Sequence, residues 1–267
     1  MSRRHSLVAL LVATGLVPSG LTAETATLEE PPPAESPRSG AEHGHHGHHG
    51  DSAETTQHDG QEGAAHDEID IHRPGMQHDF SDVAKYEKSF DNPERVAWQK
   101  PEHVIDLLAI APGMTVADIG AGTGFFEPFL AKAVGDAGRV LALDVEPKMV
   151  EHLSRRAKEA GLAQIEAREV APGDPGLAAA SVDRILVVNT WHHIDDRGAY
   201  AAKLRQALRP GGSIWIVDFE HDSSKGPPAG HKLRPRQVIA ELEAGGLVAA
   251  AVDEELSEQY VIVARSD

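Results

Sequence analysis

From residue 79 onward, short apolar runs alternate with longer segments in which apolar residues recur at helical spacing. The run VDRILVVN (182–189) is apolar almost throughout, which is typical of a strand buried on both faces of a sheet. Repeated strand–helix units predict the α/β class, with a parallel sheet and helices on both faces. The predicted strands are residues 115–119, 139–144, 164–170, 182–189, 213–219, 248–253 and 259–265. The predicted helices are residues 125–134, 147–160, 197–208 and 235–244, after two helical segments at DFSDVAKYEKSF and PEHVIDLLAIA.

The last two predicted strands are joined by a short acidic loop. So short a connection predicts that these two strands pair antiparallel, because a parallel pair needs a long crossover.

The first 23 residues have the order of a secretory signal peptide. Arg3 and Arg4 precede an apolar run at 7–17, and the segment ends at the small residue Ala23. The run is too short to span a bilayer, and no later apolar run is long enough. We therefore expect export to the periplasm, by the general or the twin-arginine route, with no membrane attachment after cleavage. If residues 1–23 are not a signal peptide, the chain stays in the cytoplasm.

Residues 24–78 are predicted to be a disordered, His-rich and acidic linker. Large apolar side chains are nearly absent, so the segment cannot bury enough surface to offset the entropy of ordering. The linker contains the tract EHGHHGHHGD, and clustered neutral imidazoles bind zinc, copper or nickel. Weak metal binding is one expectation for this tract, and a plain solvated linker is the other. The histidines of the tract are His43, His45, His46, His48 and His49.

Charge and cysteine content exclude several functions. The formal net charge is -17 at pH 7, which makes phosphate-driven binding of nucleic acid a poor expectation. The chain has no cysteine, which excludes disulfides, thiolate metal sites and a cysteine nucleophile. Much of the acidic excess lies in the linker, so it says little about the folded part.

At residues 116–126 the chain reads VADIGAGTGFF, in which a strand ends in a glycine-rich turn. Glycines in such a turn permit unusual backbone angles and let a ligand approach the main chain. The dinucleotide fingerprint G-x-G-x-x-G would need glycine where Phe125 stands, which disfavours a nicotinamide-dependent oxidoreductase. Asp118, just before the glycines, suits a ligand with a positive group better than a phosphate. The glycines are Gly120, Gly122 and Gly124.

Asp144 ends the next predicted strand, about 20 residues beyond the turn, where a carboxylate typically accepts hydrogen bonds from ribose hydroxyls. Together, VADIGAGTGFF, LALD, VDRILVVN and RPGGSIWIVDF resemble, in order and spacing, the class I S-adenosylmethionine-dependent methyltransferases. The resemblance covers residues 101–267. It implies a Rossmann-like sheet of seven mostly parallel strands with an antiparallel last strand and helices on both faces.

The resemblance also implies roles for particular residues. Asp118 and the backbone of the three glycines would hold the methionine part of S-adenosylmethionine. Asp144 would hold the ribose, the alternative being that it merely caps the following helix. Asn189 would line the methionine side. Glu169 and Asp174 are both open as the acid that contacts adenine.

Methyl transfer from a sulfonium is an in-line displacement, so the protein must mainly align the acceptor and exclude water. A base is needed only if the acceptor loses a proton. The candidates are His192 and His193 in NTWHHIDD and His231 in KGPPAGHKLRP, and ordinary packing or an exposed loop is the alternative for each. Residues that could cover the cofactor are Tyr86, Trp98 and Gln99.

Two functions follow from these observations. The first is methyl transfer to a small-molecule acceptor, without metal, because Asp218, Asn189 and Asp195 are not an obvious ligand set. The alternative is a non-catalytic exported domain that binds a nucleoside ligand, or binds metal through its histidine tract. The sequence indicates neither the acceptor nor an oligomeric state.

Overall fold

The computed structural model describes Gly75, residues 79–253 and residues 256–266. The expectations for the signal peptide, the linker and its histidine tract therefore lie outside the described residues, apart from Gly75.

Seven helices and seven strands, together with two single turns of 3-10 helix, make up the described part of the chain. The helices are α1 (Val83–Phe90), α2 (Glu94–Gln99), α3 (Pro101–Leu107), α4 (Glu127–Val134), α5 (Pro147–Glu159), α6 (Arg197–Ala207) and α7 (Pro235–Ala244). The strands are β1 (Thr115–Ile119), β2 (Arg139–Asp144), β3 (Ile165–Glu169), β4 (Val182–Val188), β5 (Leu208–Phe219), β6 (Val248–Val252) and β7 (Gln259–Arg265). The short turns are Trp191–His193 and Ala229–His231.

The strands form one sheet in the order β3-β2-β1-β4-β5-β7-β6. Strands β1 to β5 pair in parallel, whereas β7 lies antiparallel between β5 and β6. The predicted α/β class, the seven-stranded Rossmann-like sheet and the antiparallel closing pair are therefore confirmed. Strand order reverses between β1 and β4, and at such a switch point the carboxyl ends of the strands form a crevice.

Successive residues of β4 enter two different cores. Ile185 and Val187 pack with α6 and α7 on one face, and Leu186 and Val188 pack with α3 and α4 on the other. This follows from the two-residue period of a strand. Burial on both faces explains why VDRILVVN lacks a polar side along most of its length.

The starts of α4 and β5 differ from the prediction by more than one residue. Helix α4 begins at Glu127, because Phe125 and Phe126 still belong to the glycine turn. Strand β5 begins at Leu208, directly after α6, whereas the sequence predicted a strand only from residue 213. Leu208 pairs with Val182 and Ser213 with Arg184, so the Pro-Gly-Gly segment between Leu208 and Ser213 forms an irregularity in β5.

A buried ion pair supports the loop that follows β4. The Nε atom of Arg197 lies 2.8 Å from Oε1 of Glu241, and the two side chains are 1% and 0% exposed. Trp191, in that loop, donates its indole N–H to Oε2 of Glu241 at 2.8 Å. Burial raises the pKa of Glu241, and the Arg197 guanidinium opposes this rise. The Arg197–Glu241 pair thus connects the loop after β4, which contains His192 and His193, to α6 and α7.

Replacing Glu241 with alanine should lower the free energy of unfolding by about 3–5 kcal/mol, because it leaves the Arg197 charge buried and unpaired. Urea denaturation measures this. Glu243→Ala is the matched control, since Glu243 is exposed on the same helix, and it should change stability by about 0.5 kcal/mol or less. Equal stability of the two variants would contradict this role of the ion pair.

Candidate cofactor and active site

The glycine turn after β1 is tied to the end of β2. Gly120 and Ala121 both donate their backbone N–H to the carbonyl of Leu143, at 2.8 and 3.1 Å. Gly120, Gly122 and Gly124 all have positive φ angles, of 70°, 58° and 87°. At Gly120 a Cβ atom would lie 2.4 Å from the side chain of Thr190, so that no larger residue fits.

Asp144 lies at the carboxyl end of β2, beside this turn. Its Oδ2 accepts the backbone N–H of Gly122 at 2.9 Å, and its Oδ1 accepts that of Glu146 at 2.9 Å. The N-terminus of α5 is capped by the side chain of Glu146, which accepts the N–H of Lys148, and not by Asp144. Burial raises the pKa of Asp144, and the backbone hydrogen bonds oppose this rise. Each carboxylate oxygen can accept a further hydrogen bond, as a ribose diol requires.

Asp118 is buried below the glycine turn, and the structure places Glu127 of α4 beside it. Burial, with a smaller contribution from Asp144, raises the pKa of Asp118 to about 7, whereas a hydrogen bond with Glu127 and the charge of Arg95 oppose this rise. Burial and the charge of Asp118 raise the pKa of Glu127 well above its usual range. Sequence reasoning missed Glu127, although an acid inside the apolar stretch FFEPFL was a signal that could have found it.

Asn189 follows β4 with a left-handed φ of 55°. Its Oδ1 accepts the amide N–H of Gln259 at 2.6 Å, and the Oε1 of Gln259 accepts from the amide of Gln99 at 3.0 Å. This chain of amides determines the orientation of the Asn189 side chain. Its own amide N–H groups are thereby available as donors for a carboxylate at this edge.

The N-terminal helices cover the glycine turn. The ring of Phe90 lies 3.6 Å from the position that a Cβ of Gly122 would take. Asp91, next in the chain, accepts the hydroxyl of Thr123 at 2.9 Å and pairs with Arg156 of α5. Phe90 also packs against Tyr86, with ring centroids 5.2 Å apart. Of the other predicted covering residues, Trp98 packs against Phe219 (6.1 Å), and Gln99 belongs to the amide chain.

His192 forms a buried dyad with Asp218 at the end of β5. Its Nδ1 lies 2.9 Å from both carboxylate oxygens of Asp218, and Oδ1 also accepts the N–H of Phe219 at 2.8 Å. Because a carboxylate only accepts hydrogen bonds, Nδ1 carries the proton and Nε2 is the basic atom of the neutral ring. The Asp218 partner was not foreseen as such, because 26 residues separate it from His192.

The other predicted residues of the acceptor side have different surroundings. The ring of His193 stacks beside that of His192, with centroids 4.3 Å apart, and meets Phe80 edge-on at 5.5 Å. His231 is exposed in a turn of 3-10 helix. The adjacent Lys232 is buried and donates to the carbonyl of Ser223, which fixes the shape of this loop.

The two acids considered for adenine also differ. Asp174 accepts the N–H of Gly176 at 2.9 Å and lies 3.6 Å from Lys203 of α6. Glu169 is exposed at the end of β3, in register with Asp144. Glu169 is therefore the acid on the strand next to Asp144.

Among the described residues, no group of three or more His, Asp or Glu side chains is arranged to hold a metal ion. The same residues contain no helix that is long and apolar enough to cross a membrane.

Comparisons with known proteins agree with this geometry. A family model described as a methyltransferase domain matches residues 116–212. The chain is similar to a solved S-adenosylmethionine-dependent methyltransferase from Aquifex aeolicus, at 28% identity and a TM-score of 0.65 over 70% of this chain and 98% of that one. The family match and this solved structure support a class I S-adenosylmethionine-dependent methyltransferase.

Two curated relatives of this chain have named activities. Nocamycin O-methyltransferase of Saccharothrix syringae is 31% identical over 43% of this chain and 41% of its own length. The ubiquinone/menaquinone biosynthesis C-methyltransferase UbiE of Shewanella frigidimarina is 25% identical over 46% of this chain and 48% of its own length. The chain thus spans less than half the length of either relative.

Asp144→Ala should weaken the binding of S-adenosylmethionine by about 1–3 kcal/mol, because it removes the charged acceptor for ribose and for the Gly122 N–H. Isothermal titration calorimetry measures the affinity. Asp106→Ala, an exposed acid on α3, is the control and should bind like the wild type. If Asp144→Ala binds equally well, the ribose does not lie at Asp144.

Proposed function

We propose that the chain transfers the methyl group of S-adenosylmethionine to a small-molecule acceptor that loses a proton. The residues present fit this cofactor, because Asp144, Asn189 and the glycine backbone offer acceptors and donors along one sheet edge. When bound, the cofactor supplies a methyl group on a positively charged sulfur with a good leaving group.

One observation carries the proposal: the glycine turn and the His192–Asp218 dyad lie at the same edge of the sheet and are linked by hydrogen bonds. Thr190 donates its hydroxyl to the carbonyls of Val188 (3.0 Å) and Gly120 (3.4 Å), and so joins the loop after β4 to the glycine turn. His192 comes two residues later, at the 3-10 turn. A base held this way stays in place relative to the cofactor-binding turn, which is what an aligned displacement requires.

His192 is proposed to remove the proton of the acceptor. Nε2 takes the proton, and the Asp218 carboxylate stabilises the imidazolium ring that forms. The aromatic side chains of Phe80, Tyr86 and Phe90 exclude water from the edge that they cover.

The relatives support an acceptor that loses a proton. One is named an O-methyltransferase and the other a C-methyltransferase. A hydroxyl group loses its proton when its oxygen is methylated, and a carbon acceptor loses one from carbon or from an activating hydroxyl. We therefore propose a hydroxylated small molecule as the acceptor class and, given the acidic chain, no nucleic acid.

His192→Gln should lower kcat about 10²- to 10⁴-fold with S-adenosylmethionine affinity unchanged, because it removes the base and not the cofactor site. The assay is transfer of radiolabelled methyl to a panel of phenols, quinols and aliphatic alcohols, with kcat measured on the best acceptor.

Asp218→Asn should lower kcat as well, since it removes the charge that stabilises the imidazolium. His221→Gln, an exposed histidine, is the control. Full activity of His192→Gln would exclude His192 as the base and leave His193 and His231 as the candidate bases. Cofactor binding without transfer to any acceptor would favour the non-catalytic alternative.

We also propose that the chain is exported. The support is the order of charged, apolar and small residues in residues 1–23. The five-histidine tract that follows remains a predicted site for weak zinc, copper or nickel binding, which equilibrium dialysis of the full chain against each ion would test.

A reporter that is active only outside the cytoplasm, fused after the first 30 or so residues, should be active. Replacing Leu10 and Leu11 with aspartate should abolish this activity, because a charged segment no longer forms the apolar core of a signal. Equal reporter activity with and without these substitutions would contradict export by this segment.

A further inference from the structure

Glu127 is a buried acid that the proposed function does not use. It lies in the first turn of α4, directly after the glycine turn, and is 3% exposed. Its Oε2 lies 3.3 Å from the position that a Cβ of Gly124 would take, so the carboxyl group faces the turn. An acid is costly to bury in this way unless something compensates its charge.

The side-chain hydrogen bond of Glu127 is to a second acid, Asp118, and therefore supplies no positive charge. Both Glu127 oxygens are buried. The two nearby cations are engaged elsewhere: Arg95 donates to Gln99 and to the carbonyl of Phe90, and Arg156 to Asp91 and the carbonyl of Thr123. The Glu127 carboxyl group therefore has unused acceptor capacity beside the cofactor-binding backbone.

We propose that Glu127 and Asp118 together form a two-carboxylate site for the α-ammonium group of the cofactor, and that the incoming ammonium displaces a proton which the pair shares. This inference rests on the proposed use of S-adenosylmethionine. It adds a residue that the glycine motif does not include. An ammonium brings one positive charge and N–H donors, which are what the two buried carboxyl groups lack.

The charged groups around Glu127 and Asp118 determine the direction in which the pKa values of these two acids shift. Asp144 of β2 is the like charge and raises the pKa of Asp118, whereas Arg95 of α2 lowers it; Arg156 of α5 lowers that of Glu127. Burial outweighs the two arginines and raises the pKa of both carboxyl groups, which favours a proton shared by the pair in the free protein. A bound ammonium favours the charged carboxylates and lowers the pKa of the pair.

The affinity for the ammonium-bearing ligand should therefore depend on pH. Below the pKa of the free pair, binding must release a proton, so affinity rises with pH, by up to about tenfold per unit. Above that pKa the pair is already ionised, and the affinity levels off.

The test is calorimetry of the full wild-type chain at pH 7 in two buffers of different ionisation enthalpy, which counts the protons released. S-adenosylhomocysteine, which has the ammonium group and is not a methyl donor, should release about one proton on binding. 5′-Methylthioadenosine, which lacks the amino-acid portion, should bind with almost no release.

Glu127→Gln keeps the shape of the side chain and removes its charge. It should release far less proton with S-adenosylhomocysteine and bind it about tenfold more weakly than the wild type at pH 8. The two proteins should converge as the pH falls below the pKa of the pair, because the wild-type Glu127 is then itself neutral. Glu94→Gln, an exposed first-turn glutamate of α2, is the matched control and should behave like the wild type.

The outcomes separate this inference from the proposed function. If S-adenosylhomocysteine binds the wild type without proton release, or if Glu127→Gln has a parallel pH profile, the two-carboxylate site is wrong and cofactor use stands. If none of the ligands binds, cofactor use itself is contradicted. If Glu127→Gln no longer binds 5′-methylthioadenosine either, the number of protons that the wild type releases alone decides whether the two-carboxylate site exists.

Discussion

The hydrogen bonds between the glycine turn and the end of β2 are the constraint on which the rest of the site depends. Leu143 accepts two backbone N–H groups of the turn, and Asp144 accepts a third from Gly122. The backbone that would face the methionine part and the acid that would face the ribose are therefore held by each other. Any shift of one strand end moves both, so the cofactor edge behaves as one rigid unit.

Burial of charge along this edge is compensated in different ways. Asp144 accepts backbone N–H groups, Asp218 accepts from His192 and from the backbone, and Glu241 faces Arg197. Glu127 instead lies beside a second acid, Asp118, with which it shares a hydrogen bond. Since two buried acids side by side are costly, the energy of the fold at this point depends on protonation or on a ligand.

Helices α1 and α2 link the cofactor side with the acceptor side. Phe90 lies over Gly122, and Phe80, which contacts Tyr86 and Phe90, also meets His193 edge-on. Gly75 donates its N–H to Asp195 at 2.7 Å, so chain contacts with the histidine loop begin before the first helix. The same N-terminal segment thereby covers both halves of the proposed reaction site.

The sequence by itself determined the succession of strands and helices along the chain, the antiparallel closing pair, the glycine turn and the position of Asp144 at a strand end. These features are local, because strand and helix periods and turn glycines act over a few residues. Only the tertiary structure decided that His192 meets Asp218, that Gln259 orients Asn189 from 70 residues away, and that Glu127 is buried beside Asp118. Such contacts depend on strand order and register, which bring distant residues to one sheet edge and which no local pattern encodes.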